Sequence, residues 1–159
     1  MAITYEPIAT TTLSTATASV TFSSISGAYT DLVLVAFAKF SNNPSYAGII
    51  FNNDSGANYS STFVRGNGST ASSGRNNDAG QISSASYSAN FIVDIFNIQN
   101  YSNTTTYKTA IYRTSQDNDV FGRVGLWRNT AAINSIKYQI DSGNIQSGST
   151  FTLYGIKAA

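Results

Sequence analysis

Apolar and polar residues alternate along this chain in short segments that end at clusters of turn-forming residues. In the first of them, Val20 and Phe22 alternate with Thr21 and Ser23, and Ser26-Gly27 then breaks the pattern. A period of two indicates β-strands, and no segment shows a convincing helical period. The segments predicted as strands are 20–23, 32–40, 48–51, 59–65, 90–98, 107–114, 120–128, 133–140 and 151–156.

Two of these segments, 32–40 and 90–98, are apolar at both odd and even positions. A strand with two apolar faces is central in its sheet and covered on each side. Asp94 alone interrupts the second segment, and we interpret it as a structural residue, bonded to a neighbouring strand or paired with an arginine, because buried charges need partners.

Eight to ten short strands at regular spacing predict an all-β fold, a β-sandwich or jelly roll of antiparallel strands. The single sandwich domain is predicted over 19–159, with a loop over 69–80. Residues 1–18 are rich in Thr with scattered apolar positions, and are predicted to form an extended N-terminal arm. The predicted core includes Leu34, Phe37, Phe51, Phe91, Ile95, Val124 and Leu126.

The amino-acid composition excludes several kinds of catalytic site, metal site and binding partner. The chain has no Cys and no His, which excludes disulfides, thiolate metal sites and catalysis by a histidine base. Nine basic and eight acidic residues give a formal charge of +1, without the basic surplus that nucleic acids or anionic membranes attract. The apolar runs are too short to cross a bilayer, and residues 1–10 do not resemble a secretory signal. We therefore expect no cofactor, no nucleic acid and no membrane partner.

The acidic residues sit mostly beside Asn, Ser or Gly, where Asp forms local backbone hydrogen bonds. Asp54-Ser-Gly and Asp117-Asn-Asp119 could offer oxygen ligands to Ca²⁺, but neither follows a calcium-loop pattern, so turn chemistry is the better interpretation. This placement also argues against a catalytic carboxylate pair.

The alternating orientation of side chains in segment 120–128 predicts a candidate oligomer or ligand surface. If Val124 and Leu126 face the core, then Phe121, Arg123 and Trp127 face outward and form an oligomer or ligand surface. The alternative is that Trp127 closes one end of the sandwich, and the sequence favours neither.

Several segments resemble small structural proteins of tailed bacteriophages, cyanophages especially. They are Ile8-Ala-Thr-Thr-Thr-Leu13, Val20-Thr-Phe-Ser-Ser-Ile25, Tyr29-Thr-Asp-Leu-Val-Leu34, Asn58-Tyr-Ser60 and Phe151-Thr-Leu-Tyr-Gly-Ile156. The resemblance implies a virion protein with a sandwich or jelly-roll body. Such domains serve as capsid cement proteins, often trimers with an amino-terminal arm, or as tail and fibre modules.

From this resemblance we expect a non-enzymatic capsid cement (decoration) protein on the capsid exterior, assembled in the bacterial cytoplasm. Its partners would be the major capsid protein and itself, as a homo-oligomer, most simply a trimer. The arm residues Ile3, Tyr5, Pro7 and Ile8 would contact the capsid. The alternative is a tail-fibre or receptor-binding module that binds carbohydrate.

Overall fold

The computed structural model describes residues 5–83, 91–116 and 119–157, and this part of the chain contains twelve β-strands. The strands are β1 (Tyr5–Thr12), β2 (Ser19–Phe22), β3 (Asp31–Lys39), β4 (Ala47–Phe51), β5 (Tyr59–Gly66), β6 (Ala71–Ala79), β7 (Ile82–Ser83), β8 (Phe91–Gln99), β9 (Lys108–Gln116), β10 (Asp119–Trp127), β11 (Ile136–Ile140) and β12 (Thr150–Ile156). Within these ranges there is no helix long and apolar enough to span a membrane.

The strands form two sheets, and within each sheet all neighbouring strands are antiparallel. The larger sheet has the order β1-β12-β3-β8-β9-β10-β5-β6, and the smaller has the order β2-β11-β4-β7. Pairing is nested, since β3 pairs with β12, β4 with β11 and β5 with β10. The predicted all-β sandwich is confirmed.

The core lies between the two sheets and consists of the inward-facing residues of both. Aromatic side chains from the large sheet meet those of the small sheet across this layer: Phe96 stacks on Tyr112 at 4.3 Å between ring centroids and meets the edge of Tyr138 at 6.3 Å. Fully burying an apolar side chain of this kind contributes roughly 1.5–3 kcal/mol. Packing across this layer therefore holds the sandwich together.

Three strands have no counterpart in the predicted set. Residues 69–80, predicted as a loop, contain β6, which has no apolar residue larger than alanine and pairs with β5 alone at the sheet edge. β6 is held by its backbone pairing with β5 and has no large apolar side chain to bury, so its sequence carries no apolar alternation. The two-residue strand β7 is too short to show any pattern.

The N-terminal segment also differs from the expected arm. Residues Tyr5–Thr12 form β1, which pairs with β12 at the opposite edge of the large sheet. Two threonine pairs face each other across this pairing, Thr10 with Thr152 and Thr12 with Thr150, with hydroxyl oxygens 3.2 and 3.3 Å apart. The segment is extended, but its described part is a strand of the domain.

The predicted core is partly wrong. Leu34 and Phe51 are buried as expected, whereas Phe37 and Val124 are 43% and 51% exposed on the outside of the large sheet. Ile95 and Leu126 are half-buried there, and the side chain of Phe91 lies outside the described residues. In strands with apolar residues on both faces, period two does not tell which face is inside.

Candidate functional site

The outside of the large sheet carries six large apolar side chains that are between 42% and 65% exposed. We call this set the outer apolar face; it consists of Phe37, Val64, Val93, Ile111, Val120 and Val124. The residues come from β3, β5, β8, β9 and β10, five strands that are contiguous in the sheet. Contiguous exposed apolar surface of this kind marks a contact surface on a soluble protein.

Strand register brings these residues together. Val124 lies opposite Ile111 of β9, and Phe37 of β3 lies opposite Val93 of β8. Gly122 lies at the centre of β10 between these pairs, and the absence of a side chain there leaves a shallow depression beside Val64. The face is therefore an apolar surface with a groove across it.

Arg113 is the charged residue at the centre of this face. It lies opposite Gly122 and Ile95, and it lines a depression together with Val93 and Val120. Among the described residues, no carboxylate forms an ion pair with Arg113. A cation surrounded by apolar side chains favours a partner that offers an anion or a carbonyl oxygen.

Two residues of the predicted arm border the same side of the sheet. Tyr5 and Pro7 are exposed, and they lie opposite Ile156 and Tyr154, whose side chains alternate with the buried ones of β12. Ile8 is half-buried and packs against the core, and Ile3 lies outside the described residues.

The other predicted surface faces the opposite way. Phe121, Arg123 and Trp127 are 3%, 4% and 1% exposed, so they lie inside the sandwich and not on an outer face. The Arg123 guanidinium donates hydrogen bonds to the Ser61 hydroxyl and the Ser83 carbonyl, and it lies 5.0 Å from the centre of the Phe63 ring.

Phe121, Arg123 and Trp127 face inward, contrary to the prediction, because of the size of the side chains on β10. The row with Phe121 and Trp127 has more apolar area to bury than the row with Val120 and Val124, and hydrogen bonds compensate for the one charge within it. Gly125 in the same row was the available signal, because a Cβ there would stand 2.6 Å from Ile82 of β7. A glycine in a strand often marks such a close approach.

Asp94 connects the two sheets through buried hydrogen bonds. Its carboxylate accepts from the Tyr112 hydroxyl of β9 at 2.9 Å and from the Tyr138 hydroxyl of β11 at 2.8 Å. Burial, followed by the nearby Asp94 charge, raises the pKa of Tyr138 well above its ordinary value. The structural interpretation of Asp94 is confirmed.

Lys108 is a buried group that the sequence did not single out. Its ammonium donates to the carbonyls of Thr106 and Thr130 at 2.7 and 3.1 Å, so it connects the β8–β9 turn to the segment after β10. Burial lowers the pKa of Lys108, and the two carbonyls supply its hydrogen-bond acceptors. We assign it a structural role.

Asp54 organises the turn after β4, as turn chemistry predicted. Its carboxylate accepts from the Gly56 amide at 3.0 Å, from the Asn58 amide at 2.9 Å and from the Trp127 indole at 2.7 Å. Asn52 and Asn53 precede it with φ of 52° and 56°, a left-handed conformation that Asn tolerates. In the described ranges, no group of three or more metal-ligating side chains comes together, and Asp117 lies outside those ranges.

Because of the Asp54 carboxylate, we expect the stability of the protein to decrease in acid. Burial by itself would raise the pKa of Asp54, but hydrogen bonds from Trp127, Asn58 and Gly56 outweigh it and lower that pKa below 3.8. The unfolded chain therefore binds this proton first, and the stabilisation is complete above about pH 5 and is lost as the pH falls through the folded-state pKa. We expect the urea midpoint to fall between pH 5 and pH 3. An Asp54→Asn variant, compared over the same pH range, should show a smaller fall; an equal fall would contradict this assignment.

The fold is an all-β sandwich, and the outside of its large sheet carries exposed apolar side chains. No protein-family model matches the chain, and no sequence of a curated protein matches it. Among solved structures, it is similar to the crystal structure of exo-inulinase from Aspergillus awamori, with 11% sequence identity and a TM-score of 0.49. That match covers 96% of this chain and 29% of the enzyme, so the chain spans less than a third of the enzyme's length.

Proposed function

We propose that this chain is a non-enzymatic structural protein of a bacteriophage virion, a capsid cement protein that binds the major capsid protein through its outer apolar face. The observation that supports the proposal is that face itself. Strands β3 and β8 are apolar on both sides, a pattern typical of strands that are covered on both sides. In the described part of the chain, the small sheet covers the inner side while the six residues of the outer apolar face stay exposed, and a partner would cover them.

The size of the face suits a stable contact. Six side chains that are about half exposed present on the order of several hundred Å² of apolar surface, comparable to the largest patch on a typical monomer, which is often functional. Covering it would contribute on the order of 10 kcal/mol before the entropic cost of association. The exposed Tyr5 and Pro7 would extend the contact along the sheet, where the arm was expected to bind.

The central arginine indicates which partner would cover the face. Two copies stacked face to face about a two-fold axis would bring their Arg113 guanidinium groups near each other, which is costly in an apolar interface. A capsid surface that offers a carboxylate or carbonyl to Arg113 avoids that cost. In the proposed trimer, copies would then meet through other surfaces by heterologous contacts, which leaves this face for the lattice.

Charge inserted into the face should abolish attachment. We expect Val124→Lys and Ile111→Lys each to weaken binding to capsids at least about tenfold, because a lysine there loses apolar contact and is desolvated beside Arg113. Co-sedimentation of purified protein with capsids that lack it measures this binding. Both residues are exposed, so the melting temperature should stay close to that of the unaltered protein.

Ser23→Lys provides the matched control, because Ser23 is exposed just after β2 of the small sheet. It should bind capsids like the unaltered protein. Copy number per virion, measured by gel densitometry, should be comparable to that of the major capsid protein. A handful of copies would instead favour the tail or receptor-binding alternative, and undiminished binding by both lysine variants would remove the outer apolar face from the proposal.

A further inference from the structure

Another depression lies on the opposite side of the sandwich from the outer apolar face, outside the small sheet. Its volume is about 340 Å³, within the range of small-ligand sites. Its lining has no charged residue among the described ones and includes Tyr46, Ile50, Ser55, Gln81, Ser83 and Gln139. The lysine test of the outer apolar face does not involve these residues, so this depression can be examined independently.

Two glutamine side chains form the polar part of this depression. The Gln139 amide donates to the Gln81 amide oxygen at 2.8 Å, which fixes both side chains against the strands. Gln81 is only 8% exposed, and its Nε2 has no hydrogen-bond partner although it is buried. An unmet buried donor costs roughly 1–3 kcal/mol, and such a group in a native structure calls for an explanation.

The position of Gln81 is built into the backbone. Gly48 lies opposite Ser83, and a Cβ at Gly48 would stand 2.4 Å from the Ile82 carbonyl oxygen and 3.0 Å from Gln81 Nε2. The glycine therefore allows the backbone of β7 to approach β4 closely, which fixes Gln81 in its position.

Tyr46 and Ile50 supply an apolar wall. The Tyr46 ring is 39% exposed, and its backbone is held by hydrogen bonds in both directions with Asp141. Ile50 is buried, yet it does not belong to the core between the sheets, since it faces the depression. An aromatic ring beside uncharged amides and hydroxyls combines a surface for C–H groups with donors and acceptors for hydroxyls.

We propose that this depression binds a neutral carbohydrate, with one sugar ring against Tyr46 and its hydroxyls on Gln81 and Gln139. The amide groups match hydroxyls, each of which both donates and accepts. The described lining residues are all uncharged, so they offer no ion pair to a phosphate, a carboxylate or an ammonium group. Gln81 Nε2 would gain the acceptor it lacks.

Titration of the full chain with methyl glycosides of glucose, galactose, mannose and N-acetylglucosamine, followed by NMR and calorimetry, tests this site. We expect saturable binding of at least one glycoside in the millimolar range, and much weaker binding of glucuronate. Gln139→Leu, which keeps the volume and removes the amide, should weaken binding about tenfold, as should Tyr46→Ala. Tyr107→Ala, at a tyrosine that is 53% exposed elsewhere, should leave binding unchanged.

The variants separate a binding role from a structural one. Tyr46→Phe keeps the ring and should retain most of the affinity, and thermal melts establish that each variant is folded. Absence of saturable binding to the whole panel would overturn the proposal, as would binding that Gln139→Leu and Tyr46→Ala leave unchanged. Capsid attachment should be the same in all of these variants, so failure here is distinguishable from failure of the proposed function.

Discussion

Replacing Asp94 with alanine is expected to lower the free energy of unfolding by about 3–5 kcal/mol, a large share of the stability of a domain this size. The substitution leaves the hydroxyls of Tyr112 and Tyr138 buried without the acceptor that they share. It also leaves a cavity between the sheets, because Asp94 is fully buried. Urea unfolding followed by Trp127 fluorescence measures the change.

Graded variants separate the hydrogen bonds from the cavity. Tyr112→Phe and Tyr138→Phe should each cost only about 1–2 kcal/mol, because each removes one donor and leaves Asp94 bonded to the other tyrosine. Asp141→Ala is the matched control at an exposed carboxylate and should cost less than about 1 kcal/mol. A loss for Asp94→Ala no greater than that of the control would show that Asp94 does not join the sheets.

Trp127→Ala is expected to destabilise the protein by about 3–5 kcal/mol, the usual cost of removing a buried tryptophan. The indole packs between Phe51 and Tyr59, with ring centroids 5.6 and 6.3 Å away, and its N–H bonds Asp54. Its removal therefore empties the end of the core and releases the turn that Asp54 organises. Thermal and urea unfolding followed by far-UV circular dichroism measure the loss, since Trp127 is the only tryptophan.

Trp127→Phe distinguishes the packing from the hydrogen bond. It keeps an aromatic ring in place and should cost about 1–2 kcal/mol. If Trp127 acted on the surface, as the outward orientation of its row would have required, Trp127→Ala would leave stability within about 0.5 kcal/mol of the unaltered protein. That result would contradict the inward orientation of β10.

The sequence predicted the sandwich because the strands that build its core carry a burial pattern. Their apolar patterns identified nine of the twelve strands, including β3, β8 and β12. The prediction missed the two-residue strand β7 and the two edge strands of the large sheet, β1 and β6, whose side chains are mostly exposed or polar. These strands are defined by backbone hydrogen bonds, which do not depend on the hydropathy of the side chains and cannot be read from it.

The candidate site was predictable only in part, for the same reason. Apolar residues on both faces of β3 and β8 predicted that each face is covered, which is the feature on which the proposed function rests. Orientation was not predictable, because Val124 and Trp127 both suit a core and period two does not rank them. The amide pair of Gln81 and Gln139 was also not predictable, because a side-chain hydrogen bond joins two residues that are 58 positions apart in the chain.

The position of β12 has a consequence for how the protein is made. The last described strand, β12, lies between the first, β1, and β3, so the large sheet stays split until the segment that contains β12 has left the ribosome. Until then, the edge of β3 and the whole of β1 have no neighbour, and both are free to pair with another nascent chain. Completion of the large sheet is therefore a late event governed by long-range contacts, which form more slowly than local ones. A ribosome stalled before residue 150 would carry a chain that has all of the described strands except β12, and its large sheet would still be divided between β1 and β3.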